Sequence, residues 1–258
     1  MKVTYQNLVY RLTDRVAELT LSRPDRLNAL NAAIFGEIHT ALDHAETNGA
    51  RAVVLAGAGR AFCSGADLAG DAFPDDLGEP IDRLYNPLVR RIAAMDMPLV
   101  TAINGPAVGA GAGLALLGDV IVMARSAYLQ LGFVNIGLVP DAGTTWLAAQ
   151  AVGRVRAMEM ALLGERIDAE KSLDWGLVTR LASDESCAAD ARVMALRLAA
   201  GPASTALIRK QVRGVLETSL DVALDLEREN QRAAGRTADF REGVMAFLEK
   251  RTPRFTGN

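Results

Sequence analysis

Histidine and cysteine are scarce in this 258-residue chain, and neither sign of charge dominates it. The histidines, His39 and His44, share one N-terminal helical pattern. That excludes a multi-histidine metal site and argues against a Ser-His or Cys-His nucleophile pair. The two cysteines, Cys63 and Cys187, form no CxxC pair, which points to a reducing compartment and rules out a Cys-ligated zinc site. Cys63 reads most simply as a small buried hydrophobe. With 28 Lys and Arg against 31 Asp and Glu, the formal charge is −3 and the basic footprint of a nucleic-acid binder is missing. Residues 1–12 alternate polar and apolar without a signal-type apolar core. The longest uncharged run, residues 98–118, is broken by Asn104-Gly105-Pro106 and four further glycines, so it reads as a turn rather than a membrane span. The expectation is a soluble, cytoplasmic chain with no nucleic-acid or membrane partner.

What is present is an alternation of strands and helices. Residues 8–12 and 16–21 read as a hairpin across Thr13-Asp14-Arg15. A helix follows, with Asn31 as N-cap and Ile34, Ile38, Ala41, Leu42 and Ala45 on one face. The runs 52–56, 99–103 and 120–124 are short and apolar, as buried parallel strands are. Helical patterns at 81–95 and 111–117 separate them, which argues for a parallel sheet with crossover connections. From Thr145 helical spacing takes over: Val155/Met158/Leu162, a helix from Asp168 stopped by Gly176, and a short strand at 177–181. The last 75 residues hold no strand pattern; they include a Ser219-led helix and a Thr237-led helix with Phe240, Val244, Phe247 and Leu248 on one face. The reading is a core over residues 1–200 and a helical region over 201–258 whose apolar positions pack on the core or on a neighbouring subunit.

Two small-residue loops follow buried strands, one at 57–68 and one at 104–113. Glycine and alanine there allow a ligand close to the backbone, with free N–H groups aimed at it; tight packing of helix on sheet accounts for them equally well. Neither loop completes a dinucleotide fingerprint. The second has Gly109-x-Gly111 but Leu114 in place of the third glycine, and no acid lies in residues 126–140 where the ribose ligand belongs. There is no GK[ST] phosphate loop and no G-x-S-x-G elbow.

Taken together, Leu27-Asn28-Ala29-Leu30, Phe62-Cys63-Ser64-Gly65-Ala66-Asp67-Leu68 and Ile103-Asn104-Gly105-Pro106-Ala107-Val108-Gly109-Ala110-Gly111 resemble the crotonase (enoyl-CoA hydratase/isomerase) superfamily. The likeness continues through Ile136-Gly137-Leu138-Val139-Pro140-Asp141-Ala142-Gly143, Gly153-Arg154, residues 169–178 and Lys250-Arg251-Thr252-Pro253-Arg254-Phe255. It implies an α/β, crotonase-like (ClpP/crotonase) spiral of β-β-α units, a helical C-terminal trimerisation region, and a homotrimer or dimer of trimers. It implies an acyl-CoA thioester as substrate, with coenzyme A part of that substrate and no separate cofactor. By matching position, the oxyanion hole comes from the backbone N–H groups of Ala66 and Ala110, where one such donor is typically worth about 3 kcal/mol of barrier. The surrounding Leu27, Ala29, Ser64, Gly65, Asp67, Leu68, Val108, Gly109, Phe133, Ile136 and Pro140 are carried over as binding residues. Arg26 and Lys250 stand where cations near the nucleotide are expected, and each is equally a solvated surface charge.

The hydratases of this superfamily work with two glutamates. Here the matching positions hold Gly113 and Phe133, and neither can move a proton. The acid that remains is Asp141, at a position resembling the catalytic aspartate of the dienoyl-CoA and ring-1,2-epoxyphenylacetyl-CoA isomerase branches. One carboxylate suffices for a double-bond shift, removing a proton at one carbon and returning it at another. Enclosure by Phe133, Val134, Ile136, Leu138 and Trp146 would raise its pKa; the alternative is an N-cap for a helix beginning near Ala142. Phe133 and Trp146 either shape the acyl pocket or fill core. Asp67 reads as a brace for its loop, and Asp119 as a structural acceptor. Asp71, Asp75, Asp76, Glu79 and Asp82 lie in a polar segment placed to cover the pocket and lend a second acid. The expectation is an acyl-CoA isomerase; its rivals are a hydratase with a non-standard acid and a non-catalytic acyl-CoA binder.

Overall fold

A computed structural model describes residues 2–68, 75–216 and 218–258. The chain opens as a meander of β1 (Lys2–Thr4), β2 (Leu8–Thr13) and β3 (Val16–Leu21). The β2–β3 turn puts Asp14 and Arg15 at φ 54° and 60°, the left-handed pair that a tight hairpin requires. The hairpin is where its alternation placed it, and β1 extends it by one edge strand. Asn31 caps α1 (Ala32–Thr47), its side chain accepting from the Ile34 N–H at 3.0 Å. The predicted stripe, joined by Phe35, is buried.

Next come β4 (Ala52–Gly57), a helical path of α2 (Gly78–Pro80), a π-turn (Ile81–Tyr85) and α3 (Asn86–Ala94), then β5 (Leu99–Ile103), β6 (Ala107–Val108), α4 (Ala110–Leu116), β7 (Val120–Ala124) and β8 (Tyr128–Gln130). The chain continues through α5 (Thr144–Leu163), β9 (Ile167–Asp168), α6 (Ala169–Asp174), β10 (Arg180–Ala182) and α7 (Cys187–Ala199). It ends in α8 (Ser204–Val215), α9 (Leu220–Ala234) and α10 (Ala238–Leu248).

The large sheet has the order β1-β2-β3-β4-β5-β7-β10, and from β3 onward every neighbour is parallel. Near-continuous apolar runs in β4, β5 and β7 reflect burial on both faces. One covering layer is α7, whose small residues Cys187, Ala191, Ala195 and Ala199 let it lie close across β4, β5 and β7. A second sheet, β6-β8-β9, rests on two- and three-residue strands that carry no readable alternation. The strand expected at 177–181 starts later, because Gly176 (φ 80°) and the turn after it delay pairing until Arg180 reaches Val122.

Two helical stripes have no partner within this chain. The helix holding Val155, Met158 and Leu162 is kinked at Gly153 (φ 74°, ψ 166°), and beyond the kink all three side chains are exposed, Val155 by 71%. The stripe is therefore not core of this chain. The same holds for Phe240, Val244, Phe247 and Leu248 on α10. Asp239 fastens the C-terminal tail, accepting from the N–H groups of Ala203, Thr256 and Gly257 at 2.8 Å each. Among the described residues no helix is long and apolar enough to cross a membrane.

Candidate active site

Both small-residue loops leave the C-terminal ends of parallel strands, β4 and β5, and meet there. Asn28, fully buried at φ 57°, donates to the carbonyls of Ala58 and Ala61. Asn104 holds the same loop by accepting from the Gly57 N–H at 3.0 Å and donating to the Gly59 carbonyl at 3.0 Å. Gly111 packs so closely on Cys63 that a Cβ would lie 2.2 Å from the Cys63 carbonyl oxygen. Gly65, at φ 92°, faces Val108 and Ala110, and a Cβ there would sit 3.6 Å from the Ala110 nitrogen.

Backbone direction follows from this packing. The Leu30 N–H donates to the Gly65 carbonyl at 2.8 Å, and the Asp67 N–H donates to the Leu30 carbonyl at 3.0 Å. Ala66, one residue out of phase in the bridge, turns its own N–H the other way. Ala110 opens α4 after Gly109 (φ 56°), where helical N–H groups have no partner within the helix. Arg26, Leu27 and Ala29 sit behind this arrangement. The Arg26 and Leu27 carbonyls accept from Ser64, the Ala29 carbonyl accepts from Arg23, and the Arg26 side chain is exposed. Asp67 pairs with Arg23 at 2.7 Å and braces the loop.

In front of Ala66 opens a cavity of about 770 Å³. Its walls are Ala66, Asp67 and Leu68 on one side, Leu77 to Tyr85 on a second, and Leu138 to Gly143 on a third. Asp141 borders it with a buried Oδ1 that accepts no hydrogen bond. Loss of hydration pushes its carboxyl up to about 6. It does not cap α5. Gly143 occupies the cap position, and Asp141 contributes only its carbonyl, which accepts from the Thr144 N–H at 2.9 Å and hydroxyl at 2.6 Å. The carboxylate is left to the cavity.

Its enclosure differs from the expected one. Of the five predicted neighbours, Leu138 is on the wall. The turn Phe133–Ile136 ends at Gly137 (φ 75°), and the chain doubles back so that the Leu138 N–H reaches the Phe133 carbonyl at 3.0 Å. This brings Leu138 and Pro140 to the cavity and strands Val134 and Ile136 on the outside. Phe133 is buried, with its ring over Gly109. Trp146, in the first turn of α5, borders a separate hollow beside Asp119 and Arg213. Lys250 also lies elsewhere. The tail after it is held at the opposite ends of the strands, where Arg15 donates to the Thr256 carbonyl at 3.1 Å.

One of the two positions expected to lack acids, Gly113, is filled in a way that excludes a side chain. A Cβ on Gly113 would lie 2.9 Å from the Ala142 carbonyl and 3.0 Å from Thr144, so the Asp141 loop has taken that space. Of the covering segment, Asp71 lies outside the described residues. Asp76 accepts from the Gly78 N–H, Glu79 pairs with Arg83, and Asp75 is exposed; Asp82 alone of the four described acids borders the cavity.

The enoyl-CoA hydratase/isomerase family model matches residues 11–258. The chain belongs to this family. It is 46% identical to the 1,2-epoxyphenylacetyl-CoA isomerase of Escherichia coli, over 94% of this chain and 95% of that one. It is 44% identical to a probable enoyl-CoA hydratase of Rhodobacter capsulatus, over 99% and 100%. Subunit I of the Geobacillus kaustophilus enoyl-CoA hydratase superposes with a TM-score of 0.93 at 33% identity, covering 99% and 100% of the two chains. Relatives named for both reactions are thus similar to this chain in sequence, and the hydratase structure shares its fold.

Sequence reasoning missed Tyr85. It is 7% exposed, forms part of the cavity, and its ring packs on Phe35 with centroids 4.5 Å apart. On the sequence it only continues the stripe Tyr85/Leu88/Ile92. A tyrosine closing an apolar stripe just before Asn86-Pro87 was the available signal.

Proposed function

We propose that this chain is an acyl-CoA isomerase acting through a thioester enolate. The thioester oxygen accepts hydrogen bonds from the Ala66 and Ala110 N–H groups, which lower the cost of the negative charge that develops there. Asp141, ionised, takes a proton from a carbon next to the thioester or conjugated with it, and returns that proton to another carbon of the same substrate. The observation that carries this reading is the buried, unpartnered Oδ1 of Asp141 on the cavity wall, with Gly113 and Phe133 standing where the two hydratase glutamates are expected and Asp82 exposed at the rim. An acid with a pKa near 6 gives up and recovers a proton readily at neutral pH. The relative named for epoxyphenylacetyl-CoA supports an aromatic-catabolism ester as one substrate class.

Coenzyme A arrives with the substrate, and no resident cofactor is required. The setting is cytoplasmic. The assembly is a homotrimer or dimer of trimers, supported by the exposed apolar faces of α5 and α10. A mass measurement by light scattering at micromolar concentration is expected to give three or six chains, and a monomer contradicts it.

Side-by-side assays with a 3-enoyl-CoA and a 2-enoyl-CoA test the reaction. Double-bond transfer with background hydration is expected. Robust hydration without isomerisation defeats the reading and favours a hydratase, for which Asp82 on the same cavity supplies a second carboxylate.

A further inference from the structure

The cavity wall formed by residues 77–86 carries three polar side chains, Asp82, Tyr85 and Asn86, beside the apolar Leu77, Pro80 and Ile81. In the π-turn Ile81–Tyr85 the Asn86 N–H reaches back to the Ile81 carbonyl. Such π-turns recur at functional sites. Here they put Asp82, Tyr85 and Asn86 on the cavity wall, while Leu88 and Ile92 further along stay in the core. Depth separates the three: Asp82 is exposed at the rim, Asn86 is half-buried, and Tyr85 is buried. The Phe35 ring packs on the Tyr85 ring and restrains where its hydroxyl oxygen lies, while the O–H can still turn toward a partner.

Tyr85 is close enough to Asp141 for that charge, after burial itself, to hold the phenol above its ordinary range. It therefore stays protonated and remains a donor at any working pH. Its hydrogen is not spent on Oδ1 of Asp141, which accepts nothing. Two polar groups share one pocket without satisfying each other, an arrangement that suits a ligand able to pair with both.

We propose that Tyr85 donates its hydroxyl hydrogen to an oxygen carried on the acyl group, so that the cavity selects oxygenated acyl-CoA esters (epoxides, cyclic ethers, phenols) over plain hydrocarbon ones. This rests on the isomerase reading only for where the acyl group lies. Tyr85 is a specificity-determining residue here, and proton transfer stays with Asp141.

The test is a ratio of affinities, measured by calorimetry with phenylacetyl-CoA and 2-hydroxyphenylacetyl-CoA on the wild type and on Tyr85→Phe. The wild type is expected to prefer the hydroxylated ester by about tenfold or more, since a site built to hydrogen-bond rejects the analogue lacking its partner. In Tyr85→Phe the ratio falls close to one. A purely structural role would weaken both esters together and leave the ratio intact, which overturns the proposal. A wild type without the preference overturns it too, as does a preference that survives in Tyr85→Phe and vanishes in Asn86→Ala. Turnover on a 3-enoyl-CoA, assayed in parallel, is independent of the ratio. Absent turnover with the preference intact sinks the isomerase reading and leaves this one standing.

Discussion

Two aspartates near the ends of the sheet have opposite fates. Asp119 is saturated: its Oδ2 accepts from the Leu99 N–H at 2.8 Å and Arg209 Nε at 2.6 Å, and its Oδ1 accepts from Arg213 Nη2 at 2.8 Å. Arg209, buried, also donates to the carbonyls of Ile92, Ala93 and Met95, closing the end of α3 and seating α8. Asp141 has burial without compensation: it borders the cavity, and its buried Oδ1 accepts no hydrogen bond. The first carboxylate is spent on holding the helical region against the core. The second destabilises the fold when ionised, and that same cost raises its pKa into the range useful for proton transfer. An acid's role is decided by how many of its lone pairs the fold leaves open.

The sharpest break in this contrast is Asp141→Asn. Turnover is expected to fall by about 10²–10⁴, the usual contribution of a positioned proton-transfer group. Stability at neutral pH should rise. A shift from 3.8 to about 6 corresponds to roughly 3 kcal/mol, discounted to about 1–2 kcal/mol for the solvent that still reaches the group. Urea unfolding and steady-state kinetics on one preparation read both. Next, Arg209→Met should cost about 3 kcal/mol or more in urea unfolding, because it leaves Asp119 short of a partner and strands three carbonyls.

Gly111→Ala tests the loops between the two aspartates. Its Cβ meets the Cys63 carbonyl and forces the Ala66 and Ala110 loops apart. A loss of about 10²-fold in kcat is expected, comparable to losing one donor of an oxyanion hole. The smallest effect is in pH. In the proposed mechanism the base form of Asp141 is the active one, so kcat/KM should rise with pH around a midpoint near 6. The carboxyl's folded pKa is raised, so its stabilising contribution is complete below about 3.8 and lost as pH rises through about 6. Wild type and Asp141→Asn should therefore converge in stability at low pH and separate above it, read from melting temperatures across pH 4 to 8.

Much of the fold was legible because local and tertiary signals agreed. Asn31 with the stripe from Ile34 to Ala45 fixed α1, and the apolar runs before the two small-residue loops fixed β4 and β5. The second sheet was not readable, since strands of two or three residues carry no period and take their conformation from the packed loops. The Val155 stripe has helical spacing but no partner within this chain, and periodicity alone cannot say what an apolar face meets. Of the expected site positions, Ala66, Asp67, Leu68, Pro140 and Asp141 border the cavity, while Ala110 is buried behind it on the second loop. Ile136, Trp146 and Lys250 were not brought to the cavity: their placement depends on the reversal at Gly137, the facing of α5 and the anchoring of the tail.

A crystal complex with an unreactive thioether or thioester analogue of the substrate bears most directly on the mechanism. Bound, its carbonyl oxygen should lie about 3 Å from the nitrogens of both Ala66 and Ala110, with its second and fourth acyl carbons against the Asp141 carboxylate. An oxygen beyond reach of either amide, or an Asp141 side chain swung out to solvent while ligand is bound, contradicts the account.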